Sequence, residues 1–197
     1  MRKLPKEGLF VGQNWRVVEQ LVVAKEALES AFGDVLRQLG TDLSAQPWWS
    51  SGEWAYEKKR KTRAPWPWAV YITRRHWGLG SGNMVAIGLT DLTPDAIFGG
   101  DEDPSLFVWV DSQAQPALLR TLAEALRQGK RLRSGDTLAP DAGEHGHVVL
   151  RPVSKCTRET ADSYLEEVRR EAVPFTKHYA KVLTDLDGLI RKHLGSD

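Results

Sequence analysis

Residues 68–90 read WAVYITRRHWGLGSGNMVAIGLT, and the two apolar runs in this stretch decide the fold class. The first, 68–74, alternates in part around Val70, Tyr71 and Ile72. The second, 83–90, carries Met84, Val85, Ile87 and Leu89. β-Branched and aromatic residues at this density suit a pleated, half-buried surface. The glycine-rich connection between them, Gly78-Leu79-Gly80-Ser81-Gly82, is short enough for an antiparallel hairpin. A third run at 106–110, Leu-Phe-Val-Trp-Val, follows an acidic, glycine-bearing loop. A fourth strand is expected at 147–153, where Pro152 marks an edge or an end.

Helical spacing fills the rest. Leu21, Leu28, Phe32, Val35 and Leu39, widened by Val18, Val22 and Leu36, predict a helix from about Asn14 to Leu39. Asn14 suits its N-cap and Gly40 its stop, with Glu19, Lys25, Glu26 and Arg37 facing away. Pro116 opens a second helix over 116–128, whose face is Leu118, Leu119, Leu122 and Leu126 and which Gly129 ends. Residues 130–146 read as loop. Two helices close the chain, the first capped by Thr157 and broken near Pro174. The second carries Phe175, Tyr179, Val182, Leu186 and Leu189. Between the first helix and the strands, 41–67 is irregular, with turn signals at Pro47, Gly52 and Pro65, though residues 53–56 have the character of a short strand.

The expected architecture is α+β: an antiparallel sheet of about four strands, three consecutive plus one after a helix, packed against N-terminal and C-terminal helices. No linker is visible, so 1–197 reads as one domain, with the Trp-rich basic segment 41–67 inside it.

Composition bounds function. A net charge of +1 leaves no single-sign field, so any nucleic-acid or membrane role needs a local patch. The lone Cys156 rules out an internal disulfide. No signal-peptide pattern and no apolar run of membrane-spanning length is present, so a cytoplasmic protein without membrane contact is expected. No cofactor motif is present either, and none is expected to bind.

The outlier is tryptophan: eight in all, five of them (Trp48, Trp49, Trp54, Trp66, Trp68) within 21 residues. Interleaved with Lys58, Lys59, Arg60, Lys61 and Arg63, they combine the side chains that dominate protein hot spots with those that stack on bases and neutralise phosphates. The competing reading is that the rings cover their own sheet beside a solvated basic turn. The near-neutral charge favours a protein partner over nucleic acid.

Other constellations are thinner. Asp42, followed by Glu57-x-Lys59, has the residue types of a PD-(D/E)xK nuclease, in which carboxylates hold a divalent metal and the lysine positions water. That pattern is degenerate in a chain that is 27% charged. His145 and His147 place two imidazoles on one face of a strand, a geometry seen in metal sites, without a spacing that demands a third ligand. The acidic residues Asp91, Asp95, Asp101, Glu102 and Asp103 lack the order of a calcium loop. Cys156, between Lys155 and Arg158, sits where a thiol pKa would fall. The balance favours a non-catalytic binding or regulatory protein that meets a macromolecule through the Trp-rich basic surface. A metal-dependent nuclease or hydrolase is the alternative.

Overall fold

The structure is a computed structural model that describes residues 6–59, 67–79, 82–101, 103–111, 113–139 and 146–195. Its centre is a six-stranded antiparallel sheet of β1 (Trp54–Lys59), β2 (Ala69–Arg74), β5 (Val85–Thr90), β6 (Ser105–Val110), β7 (Thr137–Leu138) and β8 (His147–Pro152). Their spatial order is β1-β2-β5-β6-β8-β7. β3 (Gly78–Leu79) and β4 (Gly82–Asn83) form a separate small hairpin between β2 and β5.

The α+β class is as expected, but the sheet has six strands rather than about four. β1 pairs with β2 along its whole length, Trp54 opposite Arg74 through Lys59 opposite Ala69. Its alternation was masked by charge: Trp54 and Tyr56 point to one face, Glu57 and Lys59 to the other. Charged side chains on an edge strand also discourage pairing with another chain. β7, only two residues long, lies in the stretch expected to be loop and pairs with β8. No two-residue strand has a periodicity to detect.

Pairing fixes which side chains share a face. Val70 faces Leu89, Ile72 faces Ile87, and Val85, Ile87 and Leu89 face Val110, Val108 and Leu106. All of these are buried, forming the floor of the core. Helices α2 (Trp15–Ser44), α4 (Pro116–Gln128), α5 (Tyr164–Asp185) and α6 (Asp187–Leu194) supply its other wall. α5 crosses β5 and β6, α2 packs on α5, and α4 lies against β8 and α6. Phe32, Leu36, Leu39, Leu43, Phe175, Tyr179 and Leu183 fill the interior. Two short helices, α1 (Lys6–Gln13) and α3 (Pro94–Phe98), complete the set.

Three helix boundaries, and the capping bond at a fourth, depart from the sequence reading. α2 runs through Gly40, which sits inside the helix because a Cβ there would be 3.1 Å from two Tyr56 ring carbons. Tyr56 in turn donates from its hydroxyl to the Leu36 carbonyl at 2.6 Å, so the glycine makes room for a strand-to-helix clamp. Asn14 precedes α2, but its side chain bonds back to the Phe10 carbonyl rather than capping forward. Thr157 caps nothing: it pairs with Thr160 in a turn, and α5 starts later, at Tyr164. Pro174 lies within an unbroken α5, because Ala172, Phe175, Thr176 and Tyr179 on both sides of it are buried and offset the roughly 3 kcal/mol cost of an interior proline. The break comes instead at Leu186.

Candidate functional site

α2 ends at Ser44, and a turn through Pro47, in which Trp49 N–H donates to the Gln46 carbonyl at 2.9 Å, places Trp48 and Trp49 at the open end of β1. Trp54, the first residue of β1, meets them there. Trp48 is set edge-on to Trp49 (5.6 Å between centroids, 62°) and to Trp54 (5.1 Å, 78°), while Trp49 stacks on Trp54 at 6.2 Å and 28°. Trp77, from the one-turn 3₁₀ helix after β2, continues the chain of rings at 5.5 Å from Trp54. Edge-to-face contacts of this kind set each positive ring edge on a negative ring face.

Depth sorts these rings. Trp77 is 0% and Trp54 3% exposed, whereas Trp48 and Trp49 are half-buried. Trp54, expected as an anchor for a partner, is therefore part of the core, and the surface belongs to Trp48 and Trp49.

Arg74 binds the cluster together. Its guanidinium lies 5.8 Å from the Trp54 ring and 5.9 Å from the Trp77 ring, within cation–π range. It pairs with Glu53 at 2.7 Å and Asp187 at 3.5 Å. The same Asp187 oxygen accepts from Trp77 Nε1 and meets His76 Nε2, each at 2.7 Å. Burial alone would push the Asp187 carboxyl up. The hydrogen bonds from His76 and Trp77, with the charges of His76 and Arg74, outweigh it and hold the group below its ordinary value. Asp187 is also the first residue of α6, where the helix dipole favours a negative charge.

Beside these rings opens a pocket of about 420 Å³. Trp48, Trp54 and Ala180 form its apolar floor. Lys177, Lys181 and Thr184 reach its rim from one face of α5, three and four residues apart, joined by Glu53, Arg74 and Asp185. The arrangement offers apolar contact flanked by cations, which suits an apolar side chain next to a carboxylate.

The remaining candidates disperse. Lys58 and Lys59 leave opposite faces of β1. Lys59 pairs with Glu57 at 2.6 Å and lies 5.4 Å from the Tyr71 ring centroid. Arg60, Lys61, Arg63, Trp66 and His145 lie outside the described residues. Trp68 and His147 line a different cleft, about 410 Å³, with Tyr71, Asp91, Asp103 and Trp109. Among the described tryptophans, Trp48 and Trp68 thus line two different clefts.

Asp42 is held by Arg169 of α5 and by Gln38 at 3.1 Å, and the Arg169 hydrogen bond holds its carboxyl below the ordinary range. It belongs to the helical layer, while Glu57 and Lys59 point away from that layer, so the three do not converge. Among the described residues, no three histidine, cysteine or acidic side chains gather as metal ligands would. Burial pushes the Cys156 thiol up, against the lowering its cationic neighbours suggested.

Sequence reasoning missed Arg74, Trp77, Asp187, Lys177 and Lys181. The i, i+4 spacing of the two lysines was a signal for a shared helix face. Nothing in the sequence links Asp187 to Trp77, 110 positions away.

No protein-family model, no curated protein and no solved structure matches this chain. Among the described residues, no helix is long and apolar enough to cross a membrane.

Proposed function

We propose that this chain is a non-catalytic recognition module that binds a partner protein, receiving an apolar side chain of the partner on Trp48 while Lys177 and Lys181 meet an adjacent acidic residue. The observation that carries this reading is the Trp48/Trp54 pocket, with its apolar floor and its lysines on one face of α5. Indole and arginine side chains dominate binding hot spots when they sit at the centre of a patch ringed by polar groups.

Charge at the rim argues for protein over nucleic acid. Lys177, Lys181 and Arg74 are set against Glu53 and Asp185, a mixed field that orients one acidic group but does not track a phosphate backbone. Asp42, Glu57 and Lys59 stand apart, which favours binding over the metal-dependent alternative.

The test is affinity capture on the immobilised full chain, followed by titration of the captured protein, once purified, against wild type, Trp48→Ala and Lys177→Glu/Lys181→Glu. The expected result is a weakening of roughly 10-fold or more for each variant, the scale of a hot-spot truncation. Equal affinity for all three proteins overturns the proposal. So does tighter binding of an oligonucleotide whose affinity falls steeply with salt.

A further inference from the structure

The C-terminal half of α2 is packed, but the N-terminal half is not. Phe32, Leu36, Leu39 and Leu43 are buried, whereas between Trp15 and Ala27 every residue except Val18 is exposed. Phe10 is 64%, Trp15 56%, Val17 52%, Leu21 63%, Val22 47% and Val23 65% exposed. α1 and α2 meet at Asn14, whose N–H donates to the Phe10 carbonyl and whose carbonyl accepts from Val18 N–H, both at 3.0 Å, while its φ of -115° and ψ of 27° leave the helical range. Residues 6–27 therefore form an arm of two helices that meet at Asn14, the second of them, from Trp15 to Ala27, roughly 20 Å long at 1.5 Å per residue.

We propose that this arm pairs antiparallel with the same arm of a second copy of the chain. Its apolar stripe continues the stripe that α2 buries in its own core: from the Asn14 cap onward, Asn14, Val18, Leu21, Lys25, Leu28 and Phe32 alternate in steps of four and three. That is the seam of a coiled coil. Lys25, placed on the far side by the sequence reading, falls within it.

The pattern is self-complementary in one antiparallel register. With Val18 facing Leu21 of the second copy, Asn14 faces Lys25. Apolar layers meet apolar layers, and the two polar seam positions meet each other. The Asn14 amide N–H is spent on the Phe10 carbonyl at 2.9 Å, which leaves its oxygen to accept from the lysine. A matched polar layer inside an apolar seam sets register. Two-fold pairing of this kind supplies each contact twice.

The charge of the arm favours a second copy over a membrane surface. Lys6, Arg16 and Lys25 are set against Glu7, Glu19, Glu26 and Glu29, whereas helices that lie on bilayers carry a polar face rich in Lys and Arg. Val17, Val18, Val22 and Val23 are β-branched and weaken an isolated helix, so the arm needs a covering surface to hold its shape. The exposed parts of Phe10, Trp15, Val17, Leu21 and Val22 come to on the order of 500 Å² per copy. Two copies together approach the ~1,000 Å² at which specific interfaces begin.

Sedimentation equilibrium of the full chain tests this, with a mass of twice 22.1 kDa expected and Leu21→Asp returning it to the single-chain mass without loss of the folded circular-dichroism spectrum. In a Cys156→Ser background, mixing Asn14→Cys chains with Lys25→Cys chains gives an oxidised cross-linked pair, while neither variant alone does. A single-chain mass at every concentration overturns the proposal. A dimer indifferent to Leu21→Asp does so too, as does a Lys25→Cys chain that cross-links to itself, which signals parallel arms. Leu21-dependent binding of a single-chain species to mixed-lipid vesicles reassigns the arm to membranes and likewise overturns it.

Discussion

Replacing Asp187 with alanine should weaken the fold by more than its position near the end of the chain suggests. Its Oδ1 takes the Trp77 indole N–H at 2.7 Å, in a residue that is 0% exposed, and it meets His76 Nε2 at the same distance. Leaving the indole donor buried without an acceptor costs about 1–3 kcal/mol. The Arg74 contribution is smaller. That guanidinium keeps Glu53 at 2.7 Å, and the side chain of Asp187 is 21% exposed, so only part of a buried-pair penalty applies. The total is about 2–3 kcal/mol, which in a chain of this size lowers Tm by roughly 5–10 °C. Asp187→Asn keeps an acceptor oxygen and should cost about half as much.

The assay is urea unfolding followed by tryptophan fluorescence, for wild type, Asp187→Ala, Trp77→Phe and the double variant. Trp77→Phe keeps a ring but removes the donor, so the coupling between the two substitutions isolates the hydrogen bond, at about 1–2 kcal/mol. A midpoint for Asp187→Ala that matches wild type, or two substitutions whose effects simply add, would refute the argument that this carboxylate ties α6 to the ring cluster.

Gly40→Ala should destabilise, although alanine gains about 1 kcal/mol in helix propensity, because its Cβ would sit 3.1 Å from a Tyr56 ring that the Leu36 carbonyl holds in place. In a Tyr56→Leu background the same substitution should turn neutral or stabilising in thermal denaturation, and a penalty that persists there shows the obstacle lies elsewhere. Acid should also weaken the fold through Asp42 and Asp187, both held below the ordinary aspartate value of 3.8. A depressed folded-state pKa contributes stability above the unfolded value that is lost as pH falls through it and on toward the folded one. Urea midpoints at pH 7 and pH 3 should therefore differ less in Asp42→Asn than in wild type, and an unchanged difference removes Asp42 from the account.

What the sequence revealed and what it hid divide along a physical line. Where an element buries one face and wets the other, as in α4, or carries a dense run of β-formers buried on both faces, as in β5, the pattern is written in the residues and can be read. β1 was legible only in its first half, as a short strand over 53–56, because two of its outward positions, Glu57 and Lys59, look like part of a basic turn, although Trp54 and Tyr56 alternate beneath them. Gly40 and Pro174 misled for a related reason. Each is a local stop signal overruled by long-range packing, Gly40 by a tyrosine from another element and Pro174 by buried turns on both sides. The candidate site shows the same division. The tryptophans stood out by composition, yet composition could not separate Trp54, 3% exposed, from the half-buried Trp48. That distinction depends on Arg74, Asp187 and α5, which reach the rings from distant parts of the chain. A pocket assembled by tertiary contacts has no local pattern, so the residues on its rim become visible only once the helices are in place.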